Sequence, residues 1–324
     1  MSCAVPTVVV RSRSRVSVHG VFQLFMVNLV AIGGPFPILR DMCGRYASSS
    51  HPEDLVEQFE VDEDRTTEAA RSILASPQSP PAGQPDFNMA PTKQAPVVLT
   101  RAVRGDTDAV PTRQLRLLTW GLVPSWARDV KVGLRMTNAR AESLLDKSSF
   151  ARAAGVRRCL VPADGWYEWQ ASPTGPTALD SKSKPRRQPF FIHRLDGAAL
   201  AMAGVYEFWR DRSVAQDDPQ AWLTTYTIIT TAAEPGLDQI HDRQPLVLER
   251  EAWDDWLDPA QTDLWSVRAH LDFSEPGRFD AYPVGTAVNS SRNNGERLLV
   301  PLASPDLGVG GGPHPTKAET IRVQ

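Results

Sequence analysis

Cysteine is scarce: Cys3, Cys43 and Cys159 are the only three in 324 residues. Three widely spaced thiols make no disulfide framework, so the default compartment is a reducing one, the cytoplasm. No C-x-x-C pair occurs and the six histidines are scattered from His19 to His314, which argues against a structural zinc site. Basic excess is missing too. The formal net charge is −3, so any contact with nucleic acid has to come from a local patch. Long hydrophobic runs are lacking: "VFQLFMVNLVAIGG" (21–34) is broken by Gln23 and Asn28 and is too short to span a bilayer comfortably. The glycines of "GVGGGPHP" (308–315) follow no strand and open no helix, so no phosphate loop is expected. Ser125 has no G-x-S-x-G setting, which excludes the usual serine hydrolase elbow. No metal, cofactor or membrane partner is expected.

What is present divides into three stretches. Residues 1–41 carry four arginines against one aspartate, a charge of +3 that leaves −6 on the remainder. A basic flank before an apolar run loosely resembles an export signal, but no A-x-A cleavage site follows. The preferred reading is that translation starts at Met42 and that 1–41 lies outside the functional protein. Residues 42–303 read as one α+β domain without internal repeats, and 304–324 as a disordered tail. "HPEDLVEQFE" (51–60) spaces Leu55, Val56 and Phe59 as a helix does. Strands are expected over "APVVLT" (95–100), "QLRLLTWGLVP" (114–124), "PFFIHRL", "LAMAGVYEFW" and "TTYTIITTAA". "RCLVPADGWYEW" (158–169) reads as strand, turn, strand, and the polar stretch 170–188 as a long hairpin tip. "REAWDDWL" (250–257) is an amphipathic helix.

Candidate chemistry begins at "DMCGRYA" (41–47). As residue one, Cys43 would carry a free α-amine, ordinarily of pKa about 7.7–8.0, beside a thiol near 8.5. Such a 1,2-aminothiol condenses with an aldehyde to an imine and closes to a thiazolidine; an internal Cys43, with an amide nitrogen, cannot, and would be a small buried apolar residue. In "DGWYEW" (164–169) strand alternation sets Trp166 and Glu168 on one face and Tyr167 and Trp169 on the other. A carboxylate among indoles suits general acid–base work, and aromatics suit base stacking. A surface glutamate with a salt bridge is the plain alternative. In "LDQIHDRQP" (237–245) His241 is a proton shuttle or a member of a loop capped by Asp242. In "MTNARAESL" (136–144) an extended chain would aim Asn138 and Arg140 the same way, one to orient a nucleophile and the other to grip a phosphate. Otherwise Asn138 caps a helix over 141–145. "WGLVPSWA" (120–127) adds Trp120 and Trp126. Arg128, Lys131, Arg135, Arg140, Arg152, Arg157 and Arg158 follow as a solvated face or a track for a nucleic-acid backbone.

Ten segments in order, "MCGRYA", "FNMAPT", "WGLVPSWA", "TNARAESL", "RCLVPADGWYEW", "PFFIHR", "AMAGVYEFW", "IITTAA", "IHDRQPLVL" and "AVNSSRNNGERL", resemble the SOS response-associated peptidase (SRAP) family over roughly Met42 to Pro301. Its members crosslink covalently to abasic sites in single-stranded DNA. The resemblance implies an α+β domain with a barrel-like, mostly antiparallel β core and flanking helices. It makes Cys43 the thiazolidine-forming residue, Asn138 its positioning partner, Glu168 the active-site glutamate, and His241 the residue assisting Schiff-base chemistry and reversal. Arg45 and Arg140 become phosphate contacts and Asn88 a member of an active-site loop. Trp120, Trp126 and Trp166 are expected to face the DNA on the residue reading alone, as platforms for unpaired bases. Single-stranded DNA with abasic sites is the implied partner of a monomer, cytoplasmic and associated with the nucleoid. Gln244 stands where many members carry methionine, and a change in packing only is expected from it. Two other readings stay open: a thiol peptidase acting once on its own Met42–Cys43 bond, and a module that binds single-stranded DNA without covalent chemistry.

Overall fold

The computed structural model describes residues 44–302, apart from 103–108, 172–186, 216 and 273–274. Cys43, the segment 1–41, the tip of the 170–188 hairpin and the tail 304–324 therefore lie outside the described residues. The strands are β1 (Tyr46–Ser48), β2 (Glu63–Asp64), β3 (Asp86–Met89), β4 (Gln94–Arg101), β5 (Thr112–Trp120), β6 (Asn138–Arg140) and β7 (Arg158–Ala163). They continue as β8 (Gly165–Ala171), β9 (Arg187–Arg194), β10 (Leu200–Arg210), β11 (Trp222–Ala232), β12 (Arg243–Pro245) and β13 (Phe279–Pro283). Among the described residues four short helices are interspersed: α1 (Pro52–Gln58), α2 (Ala151–Val156), α3 (Trp253–Leu257) and α4 (Leu264–Leu271).

The long strands are those rich in Val, Ile, Leu, Thr and aromatics, which fit a pleated, half-buried surface. β11, β10, β7, β4 and β5 pair antiparallel in that order. β5 then returns to β11 in parallel, with Thr119 opposite Thr225 and Trp120 opposite Tyr226, so the five strands close into a barrel. Because side chains alternate across each strand, one face of the barrel carries Val98, Leu115, Leu160 and Ala203 and packs against the helices through Leu55, Phe59, Trp256 and Leu271. Phe59 and Trp253 stack there at 4.7 Å. The opposite face, Leu99, Leu118, Cys159, Val161, Met202 and Tyr226, fills the interior. That interior core is continuous with Tyr46, Trp166 and Phe279 from a second sheet, ordered β13–β9–β8–β1–β3.

The α+β barrel expected from the resemblance is thus the observed fold. The hairpin flanks are also as read: β8 and β9 pair out to Ala171 opposite Arg187. Gly165 marks a close approach, since a Cβ there would lie 2.4 Å from both the Ile192 carbonyl oxygen and the Phe191 ring. The helix alternative for 141–145 is overturned. Asn138–Arg140 is a strand paired with Ile228–Thr230, and only a 3₁₀ turn, Ala141–Ser143, follows.

Candidate functional site

β1 pairs with β8 so that Tyr46 lies opposite Trp166, and the Tyr167 N–H donates to the Arg45 carbonyl at 3.0 Å. Continuing that register sets Gly44 opposite Glu168, and Cys43 is one peptide bond further back. Glu168 is buried. Arg45 is fixed by Nη1, which donates to Asn88 Oδ1 and to the Val288 carbonyl, both at 2.9 Å. Burial lowers its pKa against the opposing pull of Asp86 and Tyr167, and it remains a cation. Asn88 Nδ2 in turn donates to the carbonyls of Val288, Ser290 and Asn293 at 3.2, 3.0 and 3.1 Å. Next to it Lys93 and Asp86 form a buried ion pair of 2.6 Å, and the Asp86 carboxylate also accepts the Asn88 N–H.

The second group gathers at the C-terminal end of β11. There β6 pairs on one side, with Asn138 opposite Ile228, and β12 on the other, with Pro245 opposite Thr230. Asn138 is buried and Arg140, two residues on, is exposed. Arg243 bolts the two flanks together: its guanidinium donates to both oxygens of Glu142 at 2.6 and 3.0 Å and to the Thr230 carbonyl. That hydrogen bonding holds the Glu142 carboxyl below the usual range. His241 closes the loop between β11 and β12. Its Nδ1 lies 3.1 Å from the Arg243 N–H, which donates to it, and 3.3 Å from the Asp242 carboxylate. Gln170 Nε2 donates to the Gln239 carbonyl at 2.9 Å, so the end of β8, two residues past Glu168, is tied to the loop two residues before His241. Trp166, Ile228 and Leu237, from the same elements, belong to one core cluster. Asn138 thus lies beside Ile228 of β11, His241 in the loop that leaves β11, and Glu168 two residues before the Gln170 side chain that reaches that loop.

Several expected DNA contacts are corrected. Trp120 and Trp166 are 0% and 1% exposed, so neither offers a ring face to a base. Trp120 is a scaffold: its indole N–H donates to the Thr137 carbonyl at 2.8 Å, next to Asn138, and its ring lies between Tyr46 and Tyr226. Those two phenols are hydrogen-bonded at 2.7 Å, and burial pushes both pKa values up, so both stay neutral. Asn88 is fully buried on strand β3, not in a loop, and organises the 288–293 turn from inside. Arg158 leaves the basic track as well: it is 3% exposed and donates to the carbonyls of Ala154, Gly155, Trp256, Asp258 and Gln261. Arg157 is paired with Glu207 at 2.7 Å. Trp126 differs from the other two tryptophans. It is 61% exposed and shares its surface stretch with exposed Arg128, Lys131, Leu134 and Arg135. Trp169 was missed: its indole N–H donates to Asn289 Oδ1 at 2.7 Å on the rim of the site. The Asn- and Ser-rich run 289–294 was the available signal, since such residues build turns that neighbouring side chains can hold.

The family model described as SOS response associated peptidase (SRAP) matches residues 42–291. Among characterised relatives, the chain is 35% identical over 260 residues to the abasic site processing protein YoqW of Bacillus subtilis, covering 80% of this chain and 99% of that one. It is 33% identical over 251 residues to the abasic site processing protein HMCES of Gallus gallus, covering 70% and 68%. A solved structure from Bacteroides thetaiotaomicron shares the fold, with a TM-score of 0.60 at 22% identity over 81% of this chain and all of that one.

Proposed function

Because this chain belongs to the SOS response-associated peptidase family, we propose that it processes abasic sites in single-stranded DNA by forming a covalent crosslink through Cys43. What supports the proposal is the register of β1 on β8, with Tyr46 opposite Trp166 and the Tyr167 N–H on the Arg45 carbonyl, which leads the chain from Arg45 back toward Cys43 along the strand that carries Glu168.

With Cys43 as the first residue, its neutral α-amine attacks the C1′ aldehyde of the ring-opened sugar to give a carbinolamine. Glu168 protonates the departing hydroxyl, water leaves and an imine remains. The thiol sulfur then bonds to the imine carbon while its proton moves to nitrogen, closing a thiazolidine; the only product lost is the one water. Asn138 orients the aminothiol by hydrogen bonding. His241 serves the reverse step, in which the ring nitrogen gives up its proton, the carbon–sulfur bond breaks with sulfur taking a proton, and the imine that re-forms is hydrolysed to amine and aldehyde. Arg45 and Arg140 hold flanking phosphates, and exposed Trp126 stacks an unpaired base beside Arg128 and Lys131. The protein acts as a monomer that remains on the DNA and shields the site from strand cleavage, in the reducing compartment that holds the DNA. Residues before Cys43 have to be absent or removed, and self-removal would account for peptidase behaviour.

The test is crosslinking to an oligonucleotide with one abasic site, read on a denaturing gel. Glu168→Gln is expected to slow adduct formation about 100-fold, the lower end of general acid–base effects. Wild-type speed in that variant would remove Glu168 from the mechanism.

A further inference from the structure

The loop carrying His241 is held by a side chain outside it. Glu234, at the loop's start, donates its backbone N–H to Oε1 of Gln244 at 2.8 Å, and both residues are buried. The Glu234 carbonyl accepts from the Leu237 N–H at 3.1 Å, and the Leu237 carbonyl accepts from the His241 N–H at 3.1 Å. Three hydrogen bonds thus run from Gln244 to the His241 backbone. From the other side, the residue before Gln244 donates its N–H to His241 Nδ1, which also lies 3.3 Å from the exposed Asp242 carboxylate, so the loop's geometry decides which of the two contacts the ring nitrogen keeps. The loop turns at Gly236, whose φ of +99° suits glycine, and its mouth is closed by Ala233 N–H to the Asp242 carbonyl at 3.0 Å. The Glu234 carboxylate is engaged elsewhere, accepting the Gly277 N–H at 3.2 Å.

We propose that Gln244 is a positioning residue for His241: its amide oxygen fixes the loop so that the imidazole accepts at Nδ1 and keeps its proton on Nε2. This rests on the role given to His241 above. It also replaces the expectation that glutamine here changes packing only. Methionine has nearly the same volume but no comparable acceptor, so Gln244→Met removes the first bond of the relay with little change in packing. Gln244→Glu keeps an oxygen at the same reach.

The experiment has two readouts. On the full chain with ¹⁵N-labelled histidine, neutral His241 is expected as a single Nε2–H tautomer, and as a mixture in Gln244→Met. On protein with Cys43 as its first residue, which retains every described residue, the release rate of the abasic-site adduct is measured. Gln244→Met is expected to slow release three- to tenfold and Gln244→Glu less than twofold. In a His241→Ala background Gln244→Met is expected to add nothing, because residues acting through one another are not additive. A single Nε2–H tautomer in Gln244→Met, or equal slowing by that substitution with and without His241, would overturn the proposal. Wild-type release by His241→Ala would instead overturn the role of His241, while the tautomer readout still decides whether Gln244 positions it.

Discussion

Replacing Asn88 by alanine removes the post around which the rim of the site is wrapped. The side chain receives one bond from a guanidinium and gives its two amide hydrogens to three carbonyls of the 288–293 turn. A hydrogen bond to a charged group contributes about 1.5–3 kcal/mol and a neutral one about 1 kcal/mol. One of the first kind and two of the second give about 4 kcal/mol. For a domain of this size that lowers Tm by roughly 10 °C. The assay is thermal unfolding followed by tryptophan fluorescence, with crosslinking measured below both transitions. Because Arg45 loses an acceptor two residues from Cys43, adduct formation should slow as well. Asn88→Asp keeps the acceptor for Arg45 but sets a carboxylate against three carbonyl oxygens, so it should be no more stable than the alanine variant. A Tm within about 2 °C of wild type for Asn88→Ala, or full stability in Asn88→Asp, would refute the reasoning.

Other expectations are as direct. Lys93→Ala strands the buried Asp86 carboxylate and should cost about 3–5 kcal/mol in denaturant unfolding. Gly165→Ala drives a methyl into the Ile192 carbonyl and the Phe191 ring; a loss of about 1–3 kcal/mol or more is expected by the same assay. Trp126→Ala should weaken binding to single-stranded DNA by about 1–3 kcal/mol while leaving Tm unchanged, since the ring is exposed. In the cluster of Arg194, Arg278, Glu249 and Asp196, burial raises the Glu249 pKa but the two arginines outweigh it and hold it below the ordinary 4.5. Arg194 takes Asp196 down to about 2. Both folded values lie below the unfolded ones, so this stabilisation is present above the unfolded pKa range and is lost as pH falls toward about 2. Glu249→Gln should flatten the fall of Tm in that window.

Most strands were legible because their residues alternate or run apolar between turn-formers, and "RCLVPADGWYEW" was read correctly as two strands about a turn. Barrel closure was not derivable from local pattern: it rests on Thr119 meeting Thr225 and Trp120 meeting Tyr226 across more than a hundred residues. The same limit explains the tryptophans. Period-two alternation cannot say how deeply either face is covered, and both are: Trp166 packs in the barrel core and Tyr167, on the other face, in a second one. Arg158 looked like one more surface cation because charge alone does not reveal five carbonyls waiting at the ends of neighbouring turns. Asn88 and Gln244 were underestimated for a related reason: a buried amide acts through backbone groups far away in sequence, and no motif spells those out.

The central claim is that Cys43 reacts with both its amine and its thiol. The most direct measurement is the intact mass of the species formed, without reductant, when protein beginning at Cys43 meets an oligonucleotide carrying one abasic site. The account predicts a mass equal to the two components less one water, stable to denaturation, and absent when the Cys43 amine is acetylated or the thiol is replaced in Cys43→Ser. An adduct that forms equally well with a blocked amine, or that survives denaturation only after borohydride, would contradict it.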